Sequence, residues 1–294
     1  MKSKKNKVDP KKVRKEVEKV YGQSVSKEGG NCCGSLEKSC CSTLAIAKNI
    51  GYSEEDLANL PLDSGITSFG CGNPLAYSKV KEGETVLDLG MGTGLDLLIA
   101  SRKVGPSGQV IGVDMTEEMI ERAKENIKVA GVTNVEVRKG LIEDLPVDSS
   151  SVDWVISNCV INLSPEKEKV FSEIARVLKP GGRMIVSDIV AEDLPPWMSE
   201  NKKLYCSCIS GAISEKEYLS GLRRVGLEQV KVNERQIYKS EDIESFIQSP
   251  DDFSLLSGGD NIKGLNLEET VSQIAKELDS KVASVKISAR KPVL

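Results

Sequence analysis

From Thr85 to Ser187 short runs of branched apolar residues alternate with longer amphipathic stretches, and this alternation decides the fold class. Thr85-Val86-Leu87-Asp88-Leu89 predicts a buried strand, Leu95–Val104 a helix and Gln109–Val113 a second strand. Thr116 is placed to cap a helix whose first turn carries Glu117 and Glu118, which suits the helix dipole. Val135–Arg138, Ser151–Ser157 and Met184–Ser187 read as further strands. Ser164-Pro165 is expected to open a helix with Pro at its first position, Val170, Phe171, Ile174, Val177 and Leu178 to form its apolar stripe, and Pro180-Gly181-Gly182 to end it. Strand–helix alternation of this kind builds a parallel sheet with helices on both faces. Further on, Ser214 with Glu217 predicts a capping box and a helix to Arg224. Glu228–Asn233 and Val282–Arg290 predict strands, with a polar helical insertion between them at roughly 240–280.

The regular pattern starts only near residue 80. Residues 1–30 are Lys-rich, polar and expected to be mobile, although Val13, Val17, Val20 and Tyr21 mark one amphipathic helix. Residues 31–75 hold five of the eight cysteines, with helices expected through Ser42–Ile50 and after Ser53. This gives two domains: a basic, Cys-rich segment at 1–75 and a main domain at 76–294.

Charge and composition narrow the chemistry. The first 20 residues carry nine Lys or Arg against Asp9, Glu16 and Glu18, yet the whole 294-residue chain has a net charge of −4. The remainder is therefore acidic, which argues against nucleic acid as a partner. No apolar run approaches the ~20 residues of a membrane span, and no apolar segment follows the basic start as in a secretory signal. The chain contains no histidine, so Ser-His-Asp hydrolysis, Cys-His proteolysis, His-ligated zinc and haem each lose a required residue. Cysteines stand at 32, 33, 40, 41, 71, 159, 206 and 208. Neighbours such as Cys32 and Cys33, with Cα atoms about 3.8 Å apart, are too close for an ordinary disulfide. Free, functional thiols in a reducing cytoplasm are the expectation.

The turn Asp88-Leu89-Gly90-Met91-Gly92-Thr93-Gly94 lies between the first strand and the first helix. Its Gly-x-Gly-x-Gly spacing differs from the Gly-x-Gly-x-x-Gly of dinucleotide folds, and an acid precedes it. Twenty residues past Gly94, Asp114 ends the second strand, where a carboxylate can hold both hydroxyls of a ribose. Asp88 would repel a pyrophosphate but suits an ammonium or a sulfonium. S-adenosylmethionine carries both, so Asp88, Gly90, Gly92, Gly94 and Asp114 are candidate cofactor residues.

No general base stands out for an oxygen or nitrogen acceptor. Thiols are plentiful instead. Asn158-Cys159 follows the fourth strand at the carboxyl edge, Cys71 lies in Gly70-Cys71-Gly72-Asn73-Pro74, and Cys208 follows the fifth strand. Thiolates select soft centres. Trivalent arsenic held by three thiolates keeps a lone pair that can take a methyl group without loss of a proton.

The region around the glycine-rich turn resembles the class I S-adenosylmethionine-dependent methyltransferases. The segments Gly70-Cys71-Gly72, Gly112-Val113-Asp114-Met115-Thr116, Ser157-Asn158-Cys159-Val160-Ile161-Asn162-Leu163-Ser164-Pro165 and Cys208-Ile209-Ser210-Gly211-Ala212, with the Cys32-Cys33 pair after Gly29-Gly30-Asn31, are similar to the arsenite methyltransferase family. The likeness covers roughly residues 10–235. It implies a Rossmann-like α/β fold, mainly parallel with an antiparallel last strand, and a substrate segment at about 190–215. It implies that Met115, Ile142, Glu143 and Asn158 join the cofactor site, since the segment after the third strand contacts adenine. Leu141 stands where quinone methyltransferases often have Asp, so Glu143 and the Ile142 backbone would serve. Cys159 and Cys208 would hold arsenic throughout, Cys71 would be the third ligand, and Cys32 would shuttle substrate and take part in a disulfide. The implied partners are arsenic as a thiol adduct and a small-thiol or thioredoxin-type reductant, acting on a monomer. Phe69 stands where many relatives have Tyr, and Cys40, Cys41 and Cys206 are extra thiols.

Three rivals are weaker. A structural zinc module of Cys32, Cys33, Cys40 and Cys41 has the wrong spacing for Cys-x₂₋₄-Cys knuckles. A quinone-type C-methyltransferase leaves Cys71, Cys159 and Cys208 unexplained. A nicotinamide oxidoreductase disagrees with both the turn spacing and Asp88.

Overall fold

The computed structural model describes residues 9–26, 47–48, 50–58, 60, 70–195, 209, 211–246 and 267–293. Cys32, Cys33, Cys40, Cys41, Phe69, Cys206 and Cys208 lie outside the described residues, as does the start of the helix expected over Ser42–Ile50.

Helix α1 spans Pro10–Ser26 and the short α2 spans Glu54–Leu57, the latter opened by a Ser53–Asp56 capping box. The alternating core follows: β1 Thr85–Leu89, α3 Leu95–Val104, β2 Gln109–Asp114, α4 Glu117–Ala130, β3 Val135–Lys139, β4 Val152–Asn158, α5 Lys167–Val177 and β5 Leu178–Ala191. The chain then runs through α6 Glu215–Arg224, β6 Glu228–Ile237, α7 Ser240–Phe246, α8 Leu267–Leu278 and β7 Val282–Arg290. Seven strands among the described residues form one sheet in the order β3-β2-β1-β4-β5-β7-β6. The first five run parallel, and β7 pairs antiparallel with both β5 and β6.

Period-two alternation sorts the strands' side chains into two layers. Leu87, Leu89, Val155, Met184 and Val186 face the core shared with Phe171 of α5 and Tyr218 of α6. Val86, Trp154, Ile156 and Ile185 face the opposite core with Leu97, Leu98 and Ile99 of α3. A third cluster joins Val13 and Val17 of α1, Cys159, Leu163 and Ile189 to Ile243 of α7 and Val271, Ile274 and Leu278 of α8. Thus α1, α7 and α8 belong to a cluster that contains a candidate site cysteine.

Several boundaries depart from the sequence expectation. Pro180-Gly181-Gly182 does not terminate anything: β5 starts at Leu178, directly after α5. Leu178 pairs with Val152 and Arg183 with Trp154, so the Pro-Gly-Gly residues occupy a bulge, where a residue without an N–H costs no ladder bond. Pro165 is not the first residue of a helix; α5 begins at Lys167, and the Ser164 Oγ accepts the Glu166 N–H at 3.1 Å in the turn before it. Thr116 occupies the N-cap of α4 but its side chain makes no capping bond there. Within residues 1–30 the amphipathic helix marked by Val13, Val17, Val20 and Tyr21 does form, over Pro10–Ser26, with Val13 and Val17 buried.

Candidate active site

The carboxyl ends of β1, β2 and β4 converge at the point where strand order reverses, the usual ligand position in open α/β sheets. A cleft of about 720 Å³ of empty space, partly open to solvent, lies there. Gly90 and Gly92 of the turn after β1, Asp114 and Met115 after β2, Ile142 and Glu143 after β3, and Asn158 and Cys159 after β4 all line it. These sequence-predicted residues are therefore brought together. Asp88 and Gly94 do not line the cleft. Asp88 is buried within β1, and Gly94 begins α3 in the left-handed region at φ 91°.

The tightness of the turn comes from Gly90. Its φ is 65°, and an added Cβ would lie 2.3 Å from a Val160 methyl, so a side chain is excluded twice over. Asp114 is oriented by the same turn: Oδ2 accepts the Gly92 N–H at 3.0 Å and Oδ1 accepts the Thr116 N–H at 2.9 Å. Burial raises its pKa, and these N–H donors oppose the rise. The Thr116 hydroxyl and the Met115 N–H also donate to this carboxylate and fix its orientation. Asp88 is held well above the usual carboxylate range, by burial first and then by the charges of Asp96 and Asp114. Burial also lifts Asp96, to about 6, against the opposing hydrogen bonds from Tyr52 and Asn158. Three carboxylates are thus concentrated behind and beside the turn.

Asn158 and Cys159 sit at the exit of β4. The Asn158 Oδ1 accepts the Cys71 N–H at 3.0 Å, and its Nδ2 donates to the Gly72 carbonyl at 2.6 Å and to the Tyr52 hydroxyl at 3.1 Å. Tyr52 donates in turn to Asp96 at 2.9 Å. Ser284 of β7 donates to the Cys71 carbonyl at 3.1 Å. Cys159 adopts φ 62°, a left-handed conformation costing a non-glycine residue roughly 1–2 kcal/mol, and its N–H donates to the Ser187 carbonyl at 2.8 Å. The result is that Cys71 and Cys159 meet, with Cα atoms 5.9 Å apart and their sulfurs joined in a disulfide. Free thiols were expected at both positions; the fold brings these two, 88 residues apart in sequence, within bonding reach. Cys32 and Cys208 lie outside the described residues.

The sequence reading missed Arg14, Tyr52, Asp96 and Ser164. Arg14 counts there only as one more charge in a basic run, and Asp96 is not singled out within the predicted helix Leu95–Val104. Glu143 accepts hydrogen bonds from Arg14 and from the Ser164 hydroxyl, the latter at 2.6 Å.

A protein-family model described as "Methyltransferase domain" matches residues 80–226, half of the chain. Among curated relatives, an arsenite methyltransferase of Halobacterium salinarum is 41% identical over 234 residues, which are 76% of this chain and 59% of that protein. The arsenite methyltransferase of Mus musculus is 36% identical, with 74% of this chain and 58% of that one covered. The chain thus spans about three-fifths of the length of these curated relatives. The crystal structure of an arsenic(III) S-adenosylmethionine methyltransferase from Chlamydomonas reinhardtii superimposes with a TM-score of 0.61 at 31% identity, covering 81% of this chain and 72% of that one. Parallel sheet, glycine turn and paired cysteines come together with these likenesses in one assignment: the chain belongs to the arsenite methyltransferase family.

Proposed function

We propose that this protein transfers methyl groups from S-adenosylmethionine to trivalent arsenic held by thiolates of Cys71, Cys159 and Cys208. The observation that carries this reading is that Cys159, in the wall of a cleft that Asp114 and the glycine turn also line, meets Cys71 at that wall through a disulfide. The names of the relatives agree with it.

The residues present fit the methyl donor. Met115 and Ile142 offer apolar walls to a flat base, and Asp114 offers two oriented oxygens to a diol. The charges of Asp96 and Asp114 add to burial in disfavouring ionised Asp88, and a cationic ligand beside them would oppose that effect. When bound, S-adenosylmethionine supplies an electrophilic methyl group on a sulfonium.

The cysteines do the rest. Two electrons and two protons from a small thiol or a thioredoxin-type dithiol open the Cys71–Cys159 disulfide to two thiols. Arsenic binds by exchange: each new As–S(Cys) bond replaces a bond from arsenic to hydroxide or to a small thiol, and the cysteine's proton leaves with that group as water or free thiol. The arsenic lone pair would then form the As–C bond while the electron pair of the broken S–C bond stays on the donor's sulfur; arsenic thereby becomes formally pentavalent, and two electrons from the same thiol reductant return it to the trivalent state before a further methyl group is added. No proton is removed, so the absence of histidine from the sequence is no obstacle.

The test is speciation of arsenic after incubating the protein with arsenite, S-adenosylmethionine and a thiol. Methylated arsenic is expected. Its absence, with S-adenosylhomocysteine still bound, would move the acceptor from arsenic to carbon and bring the quinone-type reading forward.

A further inference from the structure

Helix α1 lies outside the alternating core, yet three of its side chains, Arg14, Val17 and Tyr21, line the cleft. Its apolar face is committed to that position: Val13 is 5% and Val17 2% exposed, packed in the cluster that contains Cys159 and Leu163, with Met115 against it. The approach of α1 to α4 is close at Gly22, where an added Cβ would lie 2.8 Å from the Glu118 Oε2.

One ionic knot joins α1 to the far wall. The Arg14 guanidinium donates from Nε at 3.1 Å and from Nη2 at 3.0 Å to the Glu143 Oε1, and from Nη2 also to the Glu166 carboxylate. The Ser164 hydroxyl ends on the same Glu143 oxygen. The Glu143 side chain is only 6% exposed, so Arg14 sets both its charge balance and its rotamer. A planar guanidinium can bridge two carboxylates in this way; a lysine ammonium is a point donor that cannot span both with the same geometry.

We infer that α1 is a wall of the cofactor site, that Val17 and Tyr21 contact the bound nucleoside, and that Arg14 is a positioning residue which latches α1 and orients Glu143. This rests on the S-adenosylmethionine reading above. With the helix in place, a ligand between Met115, Ile142 and Tyr21 is covered on one side by α1, so opening of the Arg14 latch would widen its way in and out.

The experiment uses the full chain and S-adenosylhomocysteine as probe, with dissociation followed by stopped flow. Arg14→Ala is expected to speed dissociation about tenfold and to raise KM for S-adenosylmethionine with kcat at saturation little changed. Arg14→Lys is expected to recover part of the loss, and Tyr21→Ala to reproduce it without touching the ion pair. Amide exchange of α1 in the unaltered protein should slow when the probe binds. Wild-type dissociation rates in Arg14→Ala and Tyr21→Ala, or α1 exchange indifferent to the probe, would overturn the inference while leaving cofactor binding intact. If the unaltered protein does not bind S-adenosylhomocysteine at all, the cofactor reading falls and the inference with it.

Discussion

Asn158 holds Cys71 from both sides, its Oδ1 taking the Cys71 N–H at 3.0 Å and its Nδ2 giving a hydrogen bond to the Gly72 carbonyl at 2.6 Å. One amide side chain at the end of β4 thereby fixes the loop that carries one candidate arsenic ligand against the residue next to the other. In Asn158→Ala both bonds are lost and the Cys71 N–H loses its partner, a cost of about 1–3 kcal/mol. Arsenite methylation should fall at least about tenfold, and S-adenosylhomocysteine affinity should fall less. Parallel titration calorimetry and product speciation decide this; an affinity loss equal to the activity loss would make Asn158 chiefly a cofactor contact.

The same loop predicts a clash. A Cβ at Gly70 would lie 2.1 Å from the Asn158 amide, a separation that no relaxation of the side chain alone accommodates cheaply. Gly70→Ala should therefore destabilise the protein and displace Cys71. Removing the amide removes the obstacle, so Gly70→Ala with Asn158→Ala should cost less than the sum of the two single changes. Urea unfolding of the four proteins in the cycle measures the coupling, and simple additivity would refute the steric account.

Serine at Cys71 or Cys159 keeps the shape of the site but replaces a soft, ionisable thiol with a hard hydroxyl. Each substitution should abolish methylation of arsenite while S-adenosylhomocysteine still binds. In the unaltered protein, activity should require reductant, and alkylation of Cys71 and Cys159 should require it equally. Mass spectrometry of alkylated peptides with and without prior reduction checks the second point.

Asp188 gives a pH prediction. Fully buried on β5, its carboxylate accepts from the Asn162 amide at 2.8 Å and the Ile189 N–H at 3.0 Å, and meets the Tyr218 hydroxyl at 3.2 Å. Burial pushes its pKa up from 3.8 to about 7, against those hydrogen bonds and the charge of Lys167. The folded state therefore keeps a proton that the unfolded chain releases. The resulting stabilisation is complete below pH 3.8 and is lost as pH rises through 7, amounting to roughly 4 kcal/mol at most. Asp188→Asn should flatten this part of the stability curve and be the more stable protein at pH 8. Chemical denaturation from pH 4 to 8 reads it directly; parallel curves for the two proteins would contradict the assignment.

The core was legible because its signals are local. β1 and α3 occupy the residues that hydrophobic periodicity assigned to them, and the Ser214–Glu217 capping box starts α6 as read. The residues of the cleft were legible for a second reason: in a parallel sheet every strand delivers its carboxyl end to the same edge, so Gly90, Asp114 and Asn158 had to converge. What escaped was long-range. Nothing near Arg14 announces Glu143, which is 129 residues away, and nothing near Tyr52 announces Asp96. Pro180 misled because proline at a helix end and proline in a bulge look alike in sequence; only the partner strand distinguishes them.

The bond between Cys71 and Cys159 also has a topological meaning. The stretch it encloses contains β1, α3, β2, α4, β3 and β4, so the oxidised chain carries the whole nucleoside-facing part of the sheet as a covalent ring. Arsenic bridging the two sulfurs would close the same ring through S–As–S. The reduced, empty protein is then the one form in which this circle is broken, and an unfolding chain in that form gains the freedom of an open strand, worth about 4–5 kcal/mol on a chain-entropy account. Cargo would therefore restore the cross-link that reduction removes, and the loaded protein would resist unfolding as a macrocycle does.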